Sequence, residues 1–163
     1  MKFVLALLLL SLVIPSMAAA SPYEATGKVT HVVDGDTFDV HLKDHDNRII
    51  EDLIRIRFAD IDCPEIHGPK ACEAGKEAAA YTRSWLLNNF IFLDLDNKTG
   101  KDQYGRWVAV VYLASPDGSL NLSRNFNRML VDSGHAVIED FKNNEFDPQS
   151  WWFGDANTFA TRR

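Results

Sequence analysis

Cysteine is scarce, with two in 163 residues. That excludes a scaffold stapled by several disulfides and a zinc finger built on four thiolates. An excess of positive charge is missing too. Lys and Arg number 17 against 23 Asp and Glu, a net charge of −6, so the chain does not coat a polyanion through its overall field. Any nucleic-acid partner must be attracted locally, by particular arginines or by a metal. The five histidines (31, 41, 45, 67 and 135) show no metal-ligand spacing. No repeat, low-complexity block or linker divides the sequence, and no apolar run reaches the roughly 20 residues of a membrane helix.

The longest apolar run, Phe3 to Ile14, follows a basic Lys2 and precedes Pro15 and the small residues Ala18-Ala19-Ala20. That is the pattern of a secretory signal peptide, residues 1–20, cleaved after Ala20. Export is therefore expected, to an envelope space or beyond. No cysteine lies near the cut to carry a lipid, so no membrane attachment is expected after cleavage. Removing 20 of the 163 residues leaves 143 with 16 basic and 23 acidic side chains, a net charge near −7. This is one domain, read here as 21–152, followed by a loose tail at 153–163. In an exported chain Cys63 and Cys72 default to a disulfide, worth about 2–3 kcal/mol for so short a loop. The alternative is a zinc site of Cys63, His67 and Cys72, for which no fourth ligand is evident.

"GKVTHVVDGDTFDVHL" (27–42) alternates apolar and polar residues on both sides of Asp34-Gly35, which predicts a hairpin of two strands. A third strand ends "LIRIRFADID", with Ile54, Ile56 and Phe58 facing one way and Arg55 and Arg57 the other. Gly75 to Asn89 reads as a helix, 90–96 and 106–114 as strands four and five, and Leu120 to Ser133 as a helix capped by Gly134. Beyond Asp140 the pattern dissolves, although Trp151 and Trp152 indicate packing there. The element order describes an α+β fold, mainly β: a five-stranded OB-type barrel with two to three helices.

Asp36 lies just past the hairpin turn, and Asp60, Asp62 and Glu65 cluster where Pro64 ends the third strand. Arg57 and Asp62 are five apart, on opposite faces of an ideal strand, so one shared site requires a bend near Asp60. Arg106 follows a turn made possible by Gly105. Carboxylates with arginines suit phosphoryl chemistry, the acids holding a divalent ion and the guanidiniums clamping phosphate oxygens. Singly, each has a plainer reading, since a lone Asp in an acidic chain is first a solvated charge and a strand arginine a surface one. "DHDNR" (44–48) and "DLDNK" (94–98) begin like calcium loops but lack the glycine that such loops need at position 6.

The succession "VVDGDTF", "RIRFADIDCPE", "GKEAAAYT", "KDQYGRWVAVVYL" and "LVDSGHA" resembles the staphylococcal nuclease (thermonuclease) family over about Gly27 to Ala136, 110 residues. The resemblance implies an OB-fold and a monomeric, calcium-dependent phosphodiesterase that cleaves DNA and RNA to leave 3′-phosphate ends. By motif position, Asp36 and Asp62 match the Ca2+ carboxylates, with the main-chain carbonyl of Cys63 as a third ligand. Glu65 matches the group that orients or deprotonates the attacking water. Arg57 and Arg106 match the phosphate-clamping pair, and Tyr104 a nucleotide-contacting tyrosine. The departures are Cys63 where the family often has Thr, Gln103 in place of a common lysine, and acidic "VIEDFKNN" where a tyrosine-rich stretch is usual. The competing readings are a non-catalytic OB module gripping single-stranded nucleic acid, and a calcium-stabilised interaction domain, which gives Arg57 and Arg106 no purpose.

Overall fold

Residues 21–152 are described by a computed structural model; the expected signal segment and the 153–163 tail lie outside them. Strands β1 (Ala25–Val32), β2 (Thr37–His45) and β3 (Leu53–Phe58) form an antiparallel meander. β1 also pairs with β5 (Phe90–Leu95), which pairs in turn with β6 (Trp107–Ala114). A parallel ladder between β3 and β6, with Ile56 opposite Trp107 and Arg57 opposite Val108, closes the five strands into the expected barrel. Closure leaves no exposed edge along that seam. The interior is apolar, with Val29, Phe38, Val40, Ile56, Phe58, Leu93 and Val111 fully buried.

Helix α1 (Glu73–Leu86) buries Gly75, Ala78, Ala79, Thr82 and Leu86. These small residues let it lie close against the β1–β2 connection, where Thr82 Oγ1 donates to Gly35 O at 2.6 Å. That connection is not the two-residue turn the Asp-Gly pair predicts. Val33 N and Asp34 N both donate to Thr37 O, closing a wider loop, and Gly35 does not adopt a positive φ. Gly35 is needed for space instead. A Cβ there would sit 2.7 Å from Cys63 Cβ and 2.9 Å from Ala78 Cβ.

The predicted helix over Leu120–Ser133 divides. Leu120–Asn125 is a strand, β7, paired with β6, and only Phe126–Asp132 is helical, as α2. The missed signal is "SPDGS", a turn in which Ser115 N bonds to Ser119 O, followed by the period-two alternation of Leu120 and Leu122. Asn125 ends the strand and caps the helix, its side chain accepting from Arg128 N.

The Cys63–Cys72 disulfide expected from the sequence is not formed, and both thiols are free. Cys63 points inward beneath Gly35 and Ala78, while Cys72 is exposed at the start of α1, so the two side chains serve different environments. Beyond Asp140 the chain continues ordered through a 3-10 turn at Pro148–Trp151, with Phe146 and Trp151 buried.

Candidate active site

Barrel closure brings the chemistry together. β3 ends at Phe58, and Asp60 takes a left-handed φ of 53° before the two-residue strand β4 (Ile61–Asp62) begins. This is the bend required for Arg57 and Asp62 to meet, and Arg57 Nη2 donates to Asp62 Oδ1 at 2.9 Å. Arg57 Nη1 lies 2.8 Å from Asp36 Oδ2. One guanidinium thus draws together carboxylates from the β1–β2 connection and from β4. Although on the outer face of its strand, Arg57 is only 8% exposed.

Asp36 is buried as well. Its Oδ2 accepts from Cys63 N at 2.9 Å and its Oδ1 from Thr37 Oγ1 at 3.1 Å, which locks the hairpin to β4. Burial pushes the Asp36 carboxyl above its usual range; Arg57 pulls it back, and neighbouring Asp34 adds repulsion. Burial likewise pushes the Cys63 thiol up, away from thiolate chemistry. Glu65 is exposed on the loop after β4, and its backbone is fixed from behind by α1: Cys72 N donates to Glu65 O at 3.1 Å. Gly75 makes that approach possible, since a Cβ there would stand 2.2 Å from Glu65 O.

Arg106 arrives from the β5–β6 turn, where Gly105 takes φ 79°. Asp102, which sequence reasoning passed over, organises this turn. Its carboxylate accepts from Tyr104 N, Arg106 N and Arg106 Nε, the last at 2.7 Å. Burial would raise the Asp102 carboxyl, but these donors outweigh it and hold the group below the usual range. The legible signal was an Asp two residues before a backbone amide it could accept from, an Asx-type turn. Arg106 Nη1 also donates to Thr37 Oγ1 at 3.2 Å, which links it through Thr37 to Asp36. Tyr104 is 75% exposed, its ring 5.3 Å from the Arg106 guanidinium.

All seven residues named from the sequence, Asp36, Arg57, Asp62, Cys63, Glu65, Tyr104 and Arg106, line one pocket of about 410 Å3. The donor set suits a hard cation: two carboxylates converge, one of them buried beside another acid, without thiolate or imidazole. Among the described residues no three His, Cys, Asp or Glu side chains form a metal-holding group. The remaining ligands would be main-chain oxygen and water, which calcium accepts, and the Cys63–His67–Cys72 zinc trio is not assembled.

Fold and site define a class: an OB-type barrel with a carboxylate–arginine pocket on the rim where β3, β4 and the β5–β6 turn meet. Comparison with known families gives the particular one. The model of the family described as staphylococcal nuclease homologue matches residues 55–157, and the chain belongs to that family. Asp36 precedes the matched span and is delivered to the pocket by the hairpin. The chain is 33% identical over 122 residues to "Endonuclease Htp3" of Saprolegnia parasitica, covering 69% of this chain and 54% of that protein. It is 31% identical over 131 residues to "Thermonuclease" of Staphylococcus hyicus, covering 79% and 68%. With "Micrococcal nuclease" of Shigella flexneri it shares 33% over 129 residues, covering 77% and 64%. The matches thus span about half to two thirds of these relatives' lengths.

Proposed function

We propose that the protein is an exported, calcium-dependent nuclease that hydrolyses phosphodiester bonds of DNA and RNA and leaves 3′-phosphate ends. One observation carries the reading: a buried arginine, Arg57, stands between two converging carboxylates, 2.8 Å from Asp36 and 2.9 Å from Asp62, inside an acidic protein. Family membership and the names of its relatives point the same way. Asp36, Asp62 and the Cys63 carbonyl would hold the calcium ion, whose positive charge offsets that gathering on the phosphate and favours an ionised water.

The other contributions come from the chain itself. Arg57 and Arg106 donate to the non-bridging phosphate oxygens as charge accumulates there, each held in advance by its own carboxylate partner. Glu65, exposed at the pocket mouth, accepts a proton from the attacking water. The water oxygen bonds to phosphorus as the bond to the 5′ oxygen breaks; that oxygen leaves as the 5′ hydroxyl after taking a proton from solvent, and the phosphate remains on the 3′ side. Tyr104, exposed beside Arg106, offers a ring face to a base.

The test is plasmid DNA and RNA incubated with purified protein in calcium or in chelator, with end-group analysis of the products. Degradation in calcium alone with 3′-phosphate ends is expected. Binding without degradation would instead make the protein the non-catalytic OB module.

A further inference from the structure

We propose that Asp60 is a positioning residue, a buried tether that holds the segment 139–144 against the strand carrying Asp62 and thereby sets Arg57. The role rests on the nuclease reading above. Asp60 is fully buried and is one of two described non-glycine residues with positive φ. Glycine would make the same turn without strain, and without burying a carboxylate. The side chain must therefore be judged by what it holds.

It holds the chain after β8 (Val137–Ile138), the strand whose pairing with β4 places Val137 opposite Asp62. A ladder two residues long is too short to fix a segment by itself. Asp60 extends it. Its main-chain oxygen accepts from Glu139 N at 3.0 Å, and its Oδ1 accepts from Phe141 N at 2.9 Å and from Asn144 Nδ2 at 2.6 Å. The far end of the segment is pinned separately, where Lys98 Nζ donates to the carbonyls of Lys142 and Asn144 and Glu145 N donates to Asp96 Oδ1.

Held at both ends, the segment sets the Phe141 ring 6.0 Å from the Arg57 guanidinium. A cation over a ring face is attracted to it, and the ring restricts the guanidinium's swing. Sequence order hides this arrangement, since Asp60 and Asn144 stand 84 residues apart.

The test compares Asp60→Gly, which keeps the turn and removes the tether, with Asp60→Asn, which keeps the Oδ1 acceptor. Asp60→Gly should fold cooperatively, exchange the Phe141 amide hydrogen at least tenfold faster, and lose about tenfold in kcat with KM little changed. Asp60→Asn should restore both readouts to near wild type. Phe141→Ala should match the kcat loss, and the Asp60→Gly/Phe141→Ala double variant should lose no more than either single one. Unchanged exchange at Phe141, or faster exchange with unchanged kcat, overturns the proposal. A wild type that cleaves nothing removes the nuclease reading and this role with it, and unaltered exchange contrasts mark that failure apart from a missing tether.

Discussion

Replacing Arg57 by alanine separates two kinds of loss that one assay would confuse. The Asp36 and Arg57 side chains are only 9% and 10% exposed, so their pair is desolvated. Removing one member of such a pair leaves an uncompensated charge, a loss in the range of about 3–5 kcal/mol. Asp62 is 47% exposed, and its arm of the network contributes little. Because Asp36 keeps its bonds from Cys63 N and Thr37 Oγ1, the lower end, about 3 kcal/mol, is expected in chelator. Calcium at 100 times its dissociation constant would add about 2.7 kcal/mol to the stability of any form, wild type or variant, that binds it. Turnover should still fall at least a hundredfold, the cost of about 2.7 kcal/mol for a lost charge partner in the transition state. Arg106→Ala is the control. Asp102 retains the amides of Tyr104 and Arg106 after that change, so stability should fall by about 1 kcal/mol while turnover drops as steeply. The measurements are urea unfolding with and without calcium, and initial rates on plasmid. Equal destabilisation by both variants in chelator would refute the buried-pair argument. Near-normal turnover from either would remove that arginine from the clamp.

Two more expectations follow from packing and charge. Gly75→Ala in an ordinary helix gains up to about 1 kcal/mol; here the new Cβ meets Glu65 O at 2.2 Å and Pro64 O at 2.7 Å, both backbone atoms. Unfolding experiments should find a loss of about 1–3 kcal/mol together with lower kcat, and a stabilised, fully active variant would contradict the close-approach reading. Glu24 is raised above its usual range by burial, despite bonds from Leu95 N and Asn97 Nδ2. A raised carboxyl favours the protonated native state, so its penalty is present above the folded pKa and fades as pH falls through it toward the unfolded value, about 4.3. The stability of Glu24→Gln relative to wild type should therefore shrink between neutral pH and pH 4, and a pH-independent difference would count against it.

Much of the barrel was legible because its strands follow simple rules. Ile54, Ile56 and Phe58 alternate with Arg55 and Arg57, and both faces fall where that period puts them, except that Arg57 is covered. The bend at Asp60 was legible too, from the odd spacing of Arg57 and Asp62. The reading failed where two local signals competed. The Leu120–Ser133 stretch carries a helical pattern in its second half and a strand pattern in its first, with Asn125 the boundary. Asp-Gly suggested a conformational role for Gly35, whereas the requirement is room for Cys63 and Ala78, which arrive from 28 and 43 residues away. The turn at Asp102 could have been read from its spacing to Tyr104, but its hold on the Arg106 side chain and the Asp60 tether could not. A carboxylate that orients an arginine, or one that holds a distant segment, has no distinguishing residue type, and only the fold reveals its partner.

The parallel ladder between β3 and β6 has a consequence for when the pocket comes into being. Arg57 lies opposite Val108, and Ile56 opposite Trp107, the residue after Arg106. The two arginines are therefore neighbours only across the seam, between segments about 50 residues apart, and such distant pairings are costly to form during folding. A chain that has made its β1–β3 meander and its β5–β6 hairpin, each from nearby segments, still carries its two guanidiniums on separate pieces. Catalytic competence would then appear at the seam's closing rather than gradually with secondary structure, and an activity titration during refolding would count closed barrels.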